Sequence, residues 1–412
     1  MNRGDRVRLT VERPAAGGRM IARHDGAVVF VSGAIPGEVV EADIEKVQRG
    51  TVWAVTREVL ERSPDRLDGA PDGACGGSVF AHIAYERQRA LKAAIIDDSL
   101  RRLGHITLPG PVDVVGSPID GYRMRARLHV RGGRIGFFRE GSHSICDPAV
   151  TRQLRDDTIA VIGDLERSLA SAGTDLVSDI DIAENIDATE RAIHLELRPE
   201  TDPSGLARLA RVANVDGASC AHPENPRTIE LFGTTTIADE IAGVRIERHV
   251  RSFFQGNRYL LRSFVDWVHG HISTGPLVDL YAGVGLFSLT AGTVGAGPIT
   301  AVEGDKFAAR DLKRNARHIT VLELPVEKFR PAPAGRVATV IVDPPRTGMS
   351  KEALARAIGI NAPNFLYVSC DVATLARDAR QLVEAGYRIR SVRAFDLFPN
   401  TAHVETIISF AR

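Results

Sequence analysis

Cysteine, aromatic residues and net charge are all scarce in this chain. Its 412 residues include four cysteines and 6% aromatic residues, and 52 basic side chains balance 52 acidic ones. The cysteines lack the spacing of a metal site or of a disulfide framework, which favours a reducing compartment. A formal charge of zero excludes a protein-wide attraction to nucleic acid, so any such binding must be local.

Long apolar runs are missing as well. No stretch approaches the roughly 18 unbroken apolar residues that a membrane span requires, and residues 1–6 lack the apolar segment of a signal peptide. We therefore expect a cytoplasmic protein that has no membrane association. With 44% apolar and 25% charged residues, the composition is that of a globular protein, and its length predicts two or three domains.

The first 60 residues alternate between apolar and polar positions, which is typical of short strands. Glycine and proline turns separate four predicted strands, at residues 6–11, 26–31, 39–44 and 52–59. Such a series predicts a small barrel of the kind that often binds oligonucleotides. Basic and acidic residues are mixed here, which argues against RNA binding by this barrel unaided.

After the barrel, apolar positions at helical spacing predict a helix over residues 85–103.

A basic face is predicted for the strand at residues 123–131. Because side chains alternate between the two faces of a strand, one face would carry five basic or histidine side chains, namely Arg123, Arg125, Arg127, His129 and Arg131. Two interpretations remain open. The face contacts RNA phosphates through Arg123, Arg125, Arg127 and Arg131, or it is a solvated sheet face on which the arginine stems pack.

A buried strand at residues 276–280 leads into a glycine turn with Gly283 and Gly285. Such a turn at the carboxyl end of a parallel strand lets the backbone approach a ligand. The next strand ends on Glu303, about 18 residues beyond the second glycine, where a carboxylate can accept hydrogen bonds from ribose hydroxyls. Ser288 stands where a dinucleotide fingerprint has a third glycine. The pattern therefore favours S-adenosyl-L-methionine over a dinucleotide.

Another apolar strand, at residues 337–342, ends on Asp343, which Pro344 and Pro345 follow. Paired prolines stiffen the exit from a strand, which suits a site that holds a flat base, although an ordinary turn is the alternative. Arg346 stands where methyltransferases of exocyclic amines usually have an aromatic residue, which argues against amine methylation. Residues 331–335 are predicted to form a loop.

Cys370 ends an apolar strand, and Glu405 follows in a short segment of the same predicted domain. A thiolate that adds to C6 of a pyrimidine makes C5 nucleophilic, and a carboxylate can then remove the C5 proton. A helix N-terminus after the strand would favour the thiolate. Cys370 is thus the candidate nucleophile and Glu405 the candidate base.

Two families are recognisable from these motifs. Residues 1–60 resemble a TRAM domain, through residues 11–13, 17–19, 21–23 and 33–38. Residues 250–412 resemble the catalytic domain of RNA uracil-C5 methyltransferases, which act on tRNA or ribosomal RNA. The matching stretches are residues 252–257, 279–287, 343–348, 367–371, 374–378, 396–399 and 401–405.

The second resemblance implies roles for several residues. It implies that Cys370 is the nucleophile and Glu405 the base, and that four residues contact the cofactor or hold the target base, namely Gln255, Tyr281, Glu303 and Asp343. Some relatives bind an iron-sulfur cluster through four cysteines. The corresponding positions here are Gly69, Cys75, Ser78 and Thr151, so we expect no cluster.

The sequence therefore predicts three parts. A TRAM-like or oligonucleotide-binding β-barrel spans residues 1–60, a central β-rich RNA-contacting region spans 61–248, and a Rossmann-like class I α/β methyltransferase domain spans 249–412. The predicted activity is methylation of uridine C5 in structured tRNA or ribosomal RNA, with no obligate protein partner. Two alternatives remain: a catalytically silent RNA-binding protein, and a methyltransferase of small molecules.

Overall fold

The computed structural model describes residues 1–172, 176–330 and 337–412. Two compact units emerge from its backbone contacts. The first comprises Met1–Gly116, Cys370–Arg380 and Arg393–Thr406, and the second comprises Ser117–Ser369, Gln381–Val392 and Ile407–Arg412. The three domain boundaries expected from the sequence stay a prediction.

The chain begins with a closed barrel of five strands, which confirms the predicted N-terminal β-barrel. The strands are β1 (Arg6–Pro14), β2 (Met20–His24), β3 (Ala27–Ser32), β4 (Val39–Gln48) and β5 (Thr51–Glu61). They follow one another around the barrel in the order β1-β2-β3-β5-β4. Alternate residues of β1 are buried, as the sequence alternation predicts. The sequence pattern predicts four of these five strands but not β2.

Helix α1 (Tyr85–Arg102) lies in the same unit and confirms the helix predicted over residues 85–103. Leu91 joins the barrel's apolar core together with Phe80 and Ile83 from the preceding loop. Gln88 and Lys92, one helical turn apart, are also buried. The short strand β6 (Val114–Val115) follows.

The second unit contains a sheet of seven strands. Its strands and the helices between them are β7 (Arg125–Arg131), β8 (Arg134–Phe138), β9 (Ile145–Cys146), α2 (Asp156–Ala172), β10 (Val177–Glu184), β11 (Arg191–Leu197), α3 (Leu206–Ala210), β12 (Gly217–His222) and β13 (Asn225–Gly233). The strand order is β13-β12-β11-β10-β7-β8-β9. The even-numbered residues Ala126, Leu128 and Val130 of β7 are buried, as the alternation predicts.

A two-stranded hairpin, β14 (Thr236–Ile241) and β15 (Val244–His249), precedes helix α4 (Leu261–His269). Arg248 in β15 is buried, forms an ion pair with Asp239 and donates a 2.7 Å hydrogen bond to the carbonyl of Glu184. Its guanidinium also lies 4.1 Å from the ring centre of Phe254. These contacts fix the start of the segment that leads to Gln255.

The remaining elements form an α/β arrangement. They are β16 (Gly275–Leu280), α5 (Leu286–Ala291), β17 (Ala296–Glu303), α6 (Lys306–Asn315), β18 (Ile319–Glu323), β19 (Thr339–Val342), α7 (Lys351–Gly359), β20 (Asn364–Ser369), α8 (Val372–Glu384), β21 (Arg388–Phe395) and β22 (Glu405–Ala411). The strand order of this sheet is β18-β17-β16-β19-β20-β22-β21-β6. Strands β16 to β20 pair in parallel, so their carboxyl ends share one edge. The loop predicted at residues 331–335 lies outside the described residues.

Candidate active site

Predicted site residues follow neighbouring parallel strands of the second unit at the points where the strands end. Tyr281 comes directly after β16, Glu303 ends β17, and Asp343 comes directly after β19. In open parallel sheets, ligands bind outside the carboxyl ends of the strands. This edge of the sheet is therefore the candidate cofactor site.

The turn after β16 has an unusual backbone. Tyr281 has a φ of 61°, a left-handed backbone conformation that residues other than glycine rarely adopt. Gly285 has a φ of 96°. A Cβ atom at Gly285 would come within 2.5 Å of a Leu312 methyl group, whereas one at Gly283 would meet no atom within 4 Å. Gly285 is thus required for packing, and Gly283 faces open space.

The Glu303 carboxylate is hydrogen-bonded to the backbone of this turn. One carboxylate oxygen accepts a 2.7 Å hydrogen bond from the backbone N–H of Gly283, and the other accepts a 2.6 Å bond from that of Asp305. Burial raises the pKa of Glu303, and these backbone donors oppose the rise. Each carboxylate oxygen can accept more than one hydrogen bond, so Glu303 keeps the capacity to accept from ribose hydroxyls.

Two further carboxylates lie close enough to influence each other's charge. Asp279, fully buried in β16, has its pKa raised to about 8 by burial, and the neighbouring carboxylates of Asp343 and Glu303 add to the rise. Burial also raises the pKa of Asp343 to about 7, with repulsion from Glu303 as a further cause. The strand ends thus hold three carboxyl groups that resist ionisation until a cation or a hydrogen-bond donor compensates them.

Asp279 is the residue that the sequence analysis missed. Its Oδ2 accepts a 3.0 Å hydrogen bond from the backbone N–H of Ser288, while its Oδ1 has no hydrogen-bond partner in the part of the chain that the structure describes. A single aspartate inside an apolar strand was the available signal, because a buried carboxylate needs a specific partner or a function.

Gln255 points toward this group of carboxylates. Its side-chain amide donates a long hydrogen bond of 3.5 Å to Asp343, and the side chain is buried. The next residue is held by a 2.9 Å hydrogen bond from the Met124 N–H to the Gly256 carbonyl. The structure therefore brings together Gln255, Gly283, Glu303 and Asp343 of the predicted cofactor residues.

Cys370, the predicted nucleophile, is more exposed than Cys220. Among the described residues, Cys220 and Cys370 are the cysteines outside a disulfide, whereas Cys75 and Cys146 each belong to one, contrary to the expectation from the cysteine spacing. Cys220 is buried, and burial raises the pKa of its thiol to about 11. Cys370 is half-buried and lies directly after β20.

The chain turns from Cys370 straight into helix α8. The carboxylate of Asp371 accepts hydrogen bonds from the backbone N–H groups of Ala373 at 3.1 Å and Thr374 at 2.8 Å, which caps the helix. The positive end of the helix favours an anionic sulfur in this position. Glu405, the first residue of β22, is 2% exposed. Cys370 and Glu405 belong to the first unit, together with the barrel and α1.

The arginines of the predicted basic face, Arg123 just before β7 and Arg125, Arg127 and Arg131 within it, are less accessible than a phosphate-binding face requires. Arg127 is exposed, with 51% of its side chain accessible, and lies 3.6 Å from Asp179. Arg123 and Arg125 are half-buried, and burial lowers the pKa of both. Arg131 donates hydrogen bonds to the carbonyls of Val130 and Ser178. An RNA contact by these four arginines stays a prediction. Arg127 has the most exposed side chain of the four.

Two cavities lie elsewhere in the second unit. One of about 620 Å³ adjoins Asp120, Arg155 and Tyr259, and one of about 440 Å³ adjoins Glu190 and Arg314. None of the predicted site residues lines either cavity.

The described residues contain neither a membrane-spanning helix nor a cluster of metal-binding side chains. Residues 1–172, 176–330 and 337–412 contain no helix that is long and apolar enough to span a membrane. Over the same ranges, no group of three or more histidine, cysteine, aspartate or glutamate side chains could hold a metal ion.

Comparison with known proteins identifies both ends of the chain. The family model for the TRAM domain matches residues 2–55, which confirms the resemblance of the barrel. The family model described as tRNA (Uracil-5-)-methyltransferase matches residues 334–412, which include Cys370 and Glu405.

Similar proteins cover the whole chain. It is 32% identical to the 23S rRNA (uracil(1939)-C(5))-methyltransferase RlmD of Alkalilimnicola ehrlichii, over 96% of this chain and 94% of the relative. It is 30% identical to an uncharacterized RNA methyltransferase of Halalkalibacterium halodurans, over 99% of this chain and 97% of the relative. It shares its fold with the Pyrococcus abyssi tRNA (uracil-54, C5)-methyltransferase, solved with S-adenosyl-L-homocysteine, at 22% identity and a TM-score of 0.77 over 98% of this chain and 99% of that one.

Proposed function

Because the chain belongs to the RNA uracil-C5 methyltransferase family, we propose that it methylates C5 of a uridine in structured ribosomal RNA or tRNA. S-adenosyl-L-methionine supplies the methyl group in this proposal. The parallel strands β16 to β20 serve as the core of a Rossmann-like class I methyltransferase domain. We further propose that the enzyme acts in the cytoplasm and carries no iron-sulfur cluster.

The carboxyl groups at the strand ends fit this cofactor. S-adenosyl-L-methionine has a positive sulfonium, a positive ammonium group and ribose hydroxyl donors, which are the partners that Asp279, Glu303 and Asp343 require in order to ionise. The residues that would hold it are Gln255, Tyr281, Gly283, Gly285, Glu303 and Asp343, with Asp279 behind them. The open space at Gly283 leaves room for a ligand against the backbone.

Cys370 and Glu405 perform the bond changes on the base. The Cys370 thiolate forms a bond to C6, and the electron pair of the C5–C6 double bond moves to C5, which takes the methyl group. Glu405 then removes the proton from C5. The electrons of that C–H bond restore the C5–C6 double bond and expel the Cys370 thiolate. One observation carries this assignment: the half-buried Cys370 lies at the junction of β20 and α8, next to the N-terminus of the helix.

The target uridine must leave its stack in order to meet a protein nucleophile. Unstacking costs about a few kcal/mol, and the cost is lowest in loops and bulges. The arginines of β7, above all Arg127, are the proposed contacts to the RNA backbone, because the chain has no overall positive charge to serve that purpose. Structured RNA with an accessible loop is therefore the expected substrate class.

Covalent capture tests the proposal. The full-length protein is incubated with S-adenosyl-L-methionine and RNA containing 5-fluorouridine, whose C5 fluorine cannot leave as a proton does. We expect a protein–RNA adduct that survives denaturing electrophoresis in the wild type and is absent in Cys370→Ala. Glu405→Gln should accumulate the adduct with natural RNA, with turnover reduced about 10²- to 10⁴-fold.

Cys220→Ala is the matched control, because Cys220 is also a cysteine outside a disulfide but is buried. Its adduct yield should equal that of the wild type. Full methylation by Cys370→Ala would contradict the proposed mechanism.

A further inference from the structure

Helix α1 holds the turn that precedes Glu405, and both belong to the first unit. Lys92 of α1 and Asp396 at the start of this turn are each fully buried, and the Lys92 ammonium lies 2.5 Å from Asp396 Oδ1. The other oxygen of Asp396 accepts no hydrogen bond from the described residues. Lys92 is therefore the group that compensates this buried carboxylate.

The same helix face also binds the backbone of the turn. Lys92 donates a second hydrogen bond, of 3.1 Å, to the carbonyl of Phe398. Gln88 contacts Asn400 twice: its side-chain oxygen accepts from the Asn400 N–H, and its amide donates to the Asn400 side chain, both at 2.9 Å. The Phe80 N–H donates a 2.8 Å bond to the Asn400 carbonyl. Asn400 is thus held from three directions, in a left-handed conformation with φ 63°.

Further hydrogen bonds within the turn connect these contacts to the residues just before Glu405. The Phe398 carbonyl, already bound by Lys92, accepts a 2.7 Å bond from the Thr401 hydroxyl. That hydroxyl in turn accepts a 3.1 Å bond from the His403 N–H, two residues before Glu405. Hydrogen bonds therefore connect Lys92, through Phe398 and Thr401, to His403, and a shift of Lys92 would move the backbone next to the buried Glu405.

Stability alone does not require a charged pair at this place. A buried ion pair loses the hydration of both ions, and apolar residues of similar volume often stabilise a fold equally well. The charged pair and the amide add directional contacts: Lys92 and Gln88 donate two hydrogen bonds to the turn and Gln88 accepts one from it, which fixes the position of the turn. Such precision is useful where a base must meet one particular proton.

We propose that Lys92 and Gln88 are positioning residues that aim Glu405 at the C5 proton of the methylated adduct. This inference rests on the proposed function. It predicts a specific defect: Cys370 still attacks C6, but removal of the proton and release of the RNA are slow.

The test separates formation of the adduct from its resolution. Single-turnover reactions with natural uridine RNA and S-adenosyl-L-methionine are quenched in denaturant, and the adduct is followed over time. In the double variant Lys92→Met/Asp396→Leu, which removes both charges together, we expect formation at the wild-type rate and resolution slowed about 10- to 100-fold. The adduct should accumulate as it does in Glu405→Gln.

Asn400→Gly provides a milder second variant. Glycine tolerates the left-handed backbone and removes only the side chain that Gln88 contacts, so we expect resolution slowed about 10-fold with an unchanged thermal unfolding midpoint. This variant decides the question if the double variant does not fold. Arg101→Met, an exposed position on α1, is the control and should resolve the adduct normally.

The outcomes distinguish the two proposals. Resolution at the wild-type rate in the folded variants, or equal slowing of formation and resolution, overturns the positioning role and leaves the proposed function intact. If the wild-type protein forms no adduct even with 5-fluorouridine RNA, the covalent mechanism and the positioning role are both overturned.

Discussion

A carboxyl group inside a sheet keeps a proton that the same group in water would lose. Asp279 lies inside β16 with no exposed surface, and burial raises its pKa to about 8. The neighbouring Asp343, with a pKa of about 7, stands at the end of β19. Positive charge placed beside either carboxyl group would therefore favour its ionisation.

This burial has a measurable cost in stability. Because the pKa of Asp279 is higher in the folded protein than in the unfolded chain, its contribution is complete below about pH 4 and is lost as the pH rises to about 8. We expect the free energy of unfolding of Asp279→Asn to fall less steeply with pH than that of the wild type. The difference in slope should reach about 1.4 kcal/mol per pH unit between pH 5 and 8.

Urea denaturation at several pH values provides the measurement. Asp68→Asn, whose side chain is 89% exposed, should keep the wild-type slope. Equal slopes for Asp279→Asn and the wild type would refute the assignment of a raised pKa to Asp279.

At the scale of elements, the barrel depends on one buried ion pair at the turn before β4. Glu38 is fully buried and accepts hydrogen bonds from both sides of the Arg66 guanidinium, each at 2.7 Å. The backbone N–H groups of Ile35 and Ser63 complete its shell. Burial alone would raise the pKa of Glu38, but Arg66 and these backbone donors outweigh it, and the pKa is lowered.

Loss of one partner should destabilise the barrel strongly. In Arg66→Met the buried carboxylate of Glu38 has no counter-ion, and we expect the free energy of unfolding to fall by about 3–5 kcal/mol at pH 7. The effect should shrink as the pH falls below the usual range of a glutamate, since a depressed pKa stabilises only where the carboxylate is ionised.

Urea denaturation followed by circular dichroism measures this loss. Arg8→Met removes an arginine of β1 whose ion pair with Glu61 is exposed, and should cost less than about 1 kcal/mol. Equal effects of the two substitutions would contradict a special role for the Glu38–Arg66 pair.

At the scale of the whole molecule, the balance of charge removes any long-range electrostatic attraction between this protein and RNA. The formal charge is zero, and the arginines of β7 lie beside carboxylates such as Asp179 on the adjacent strand β10. Recognition must therefore depend on local contacts and on the shape of the RNA. The relatives named for their substrates act on different RNAs, one on 23S rRNA and one on tRNA.

Loss of the protein should remove a specific modification. We expect total RNA from a deletion strain to lack 5-methyluridine at one or more positions that are modified in the parent, in 23S rRNA or in tRNA. Mapping of 5-methyluridine by mass spectrometry of RNA fragments measures this. Restoration by the wild-type protein but not by Cys370→Ala links the modification to the thiol, and an unchanged map in the deletion strain would contradict the proposal.

The sequence predicted some elements of the fold, namely those that a local pattern determines. Alternation in β1 and the buried run of β16 predicted strands where the structure has them, and the spacing of apolar residues predicted α1. Strand β2 was not predicted because three consecutive residues, Met20, Ile21 and Ala22, are buried and do not alternate with polar ones. The motif around Cys370 was equally legible, since a strand end followed by a helix cap is a local feature.

The sequence by itself determined which chemical groups the protein has: the thiol of Cys370, the carboxylates of Glu303, Asp343 and Glu405, and the glycine turn. Only the tertiary structure decided their surroundings. It showed that Asp279 lies near Asp343 and that Arg123 and Arg125 are half-buried. It also showed that Lys92 holds Asp396, 304 residues later in the chain, in the turn before Glu405. Burial and the distance between charges set these properties, and both depend on residues that are far apart in the sequence.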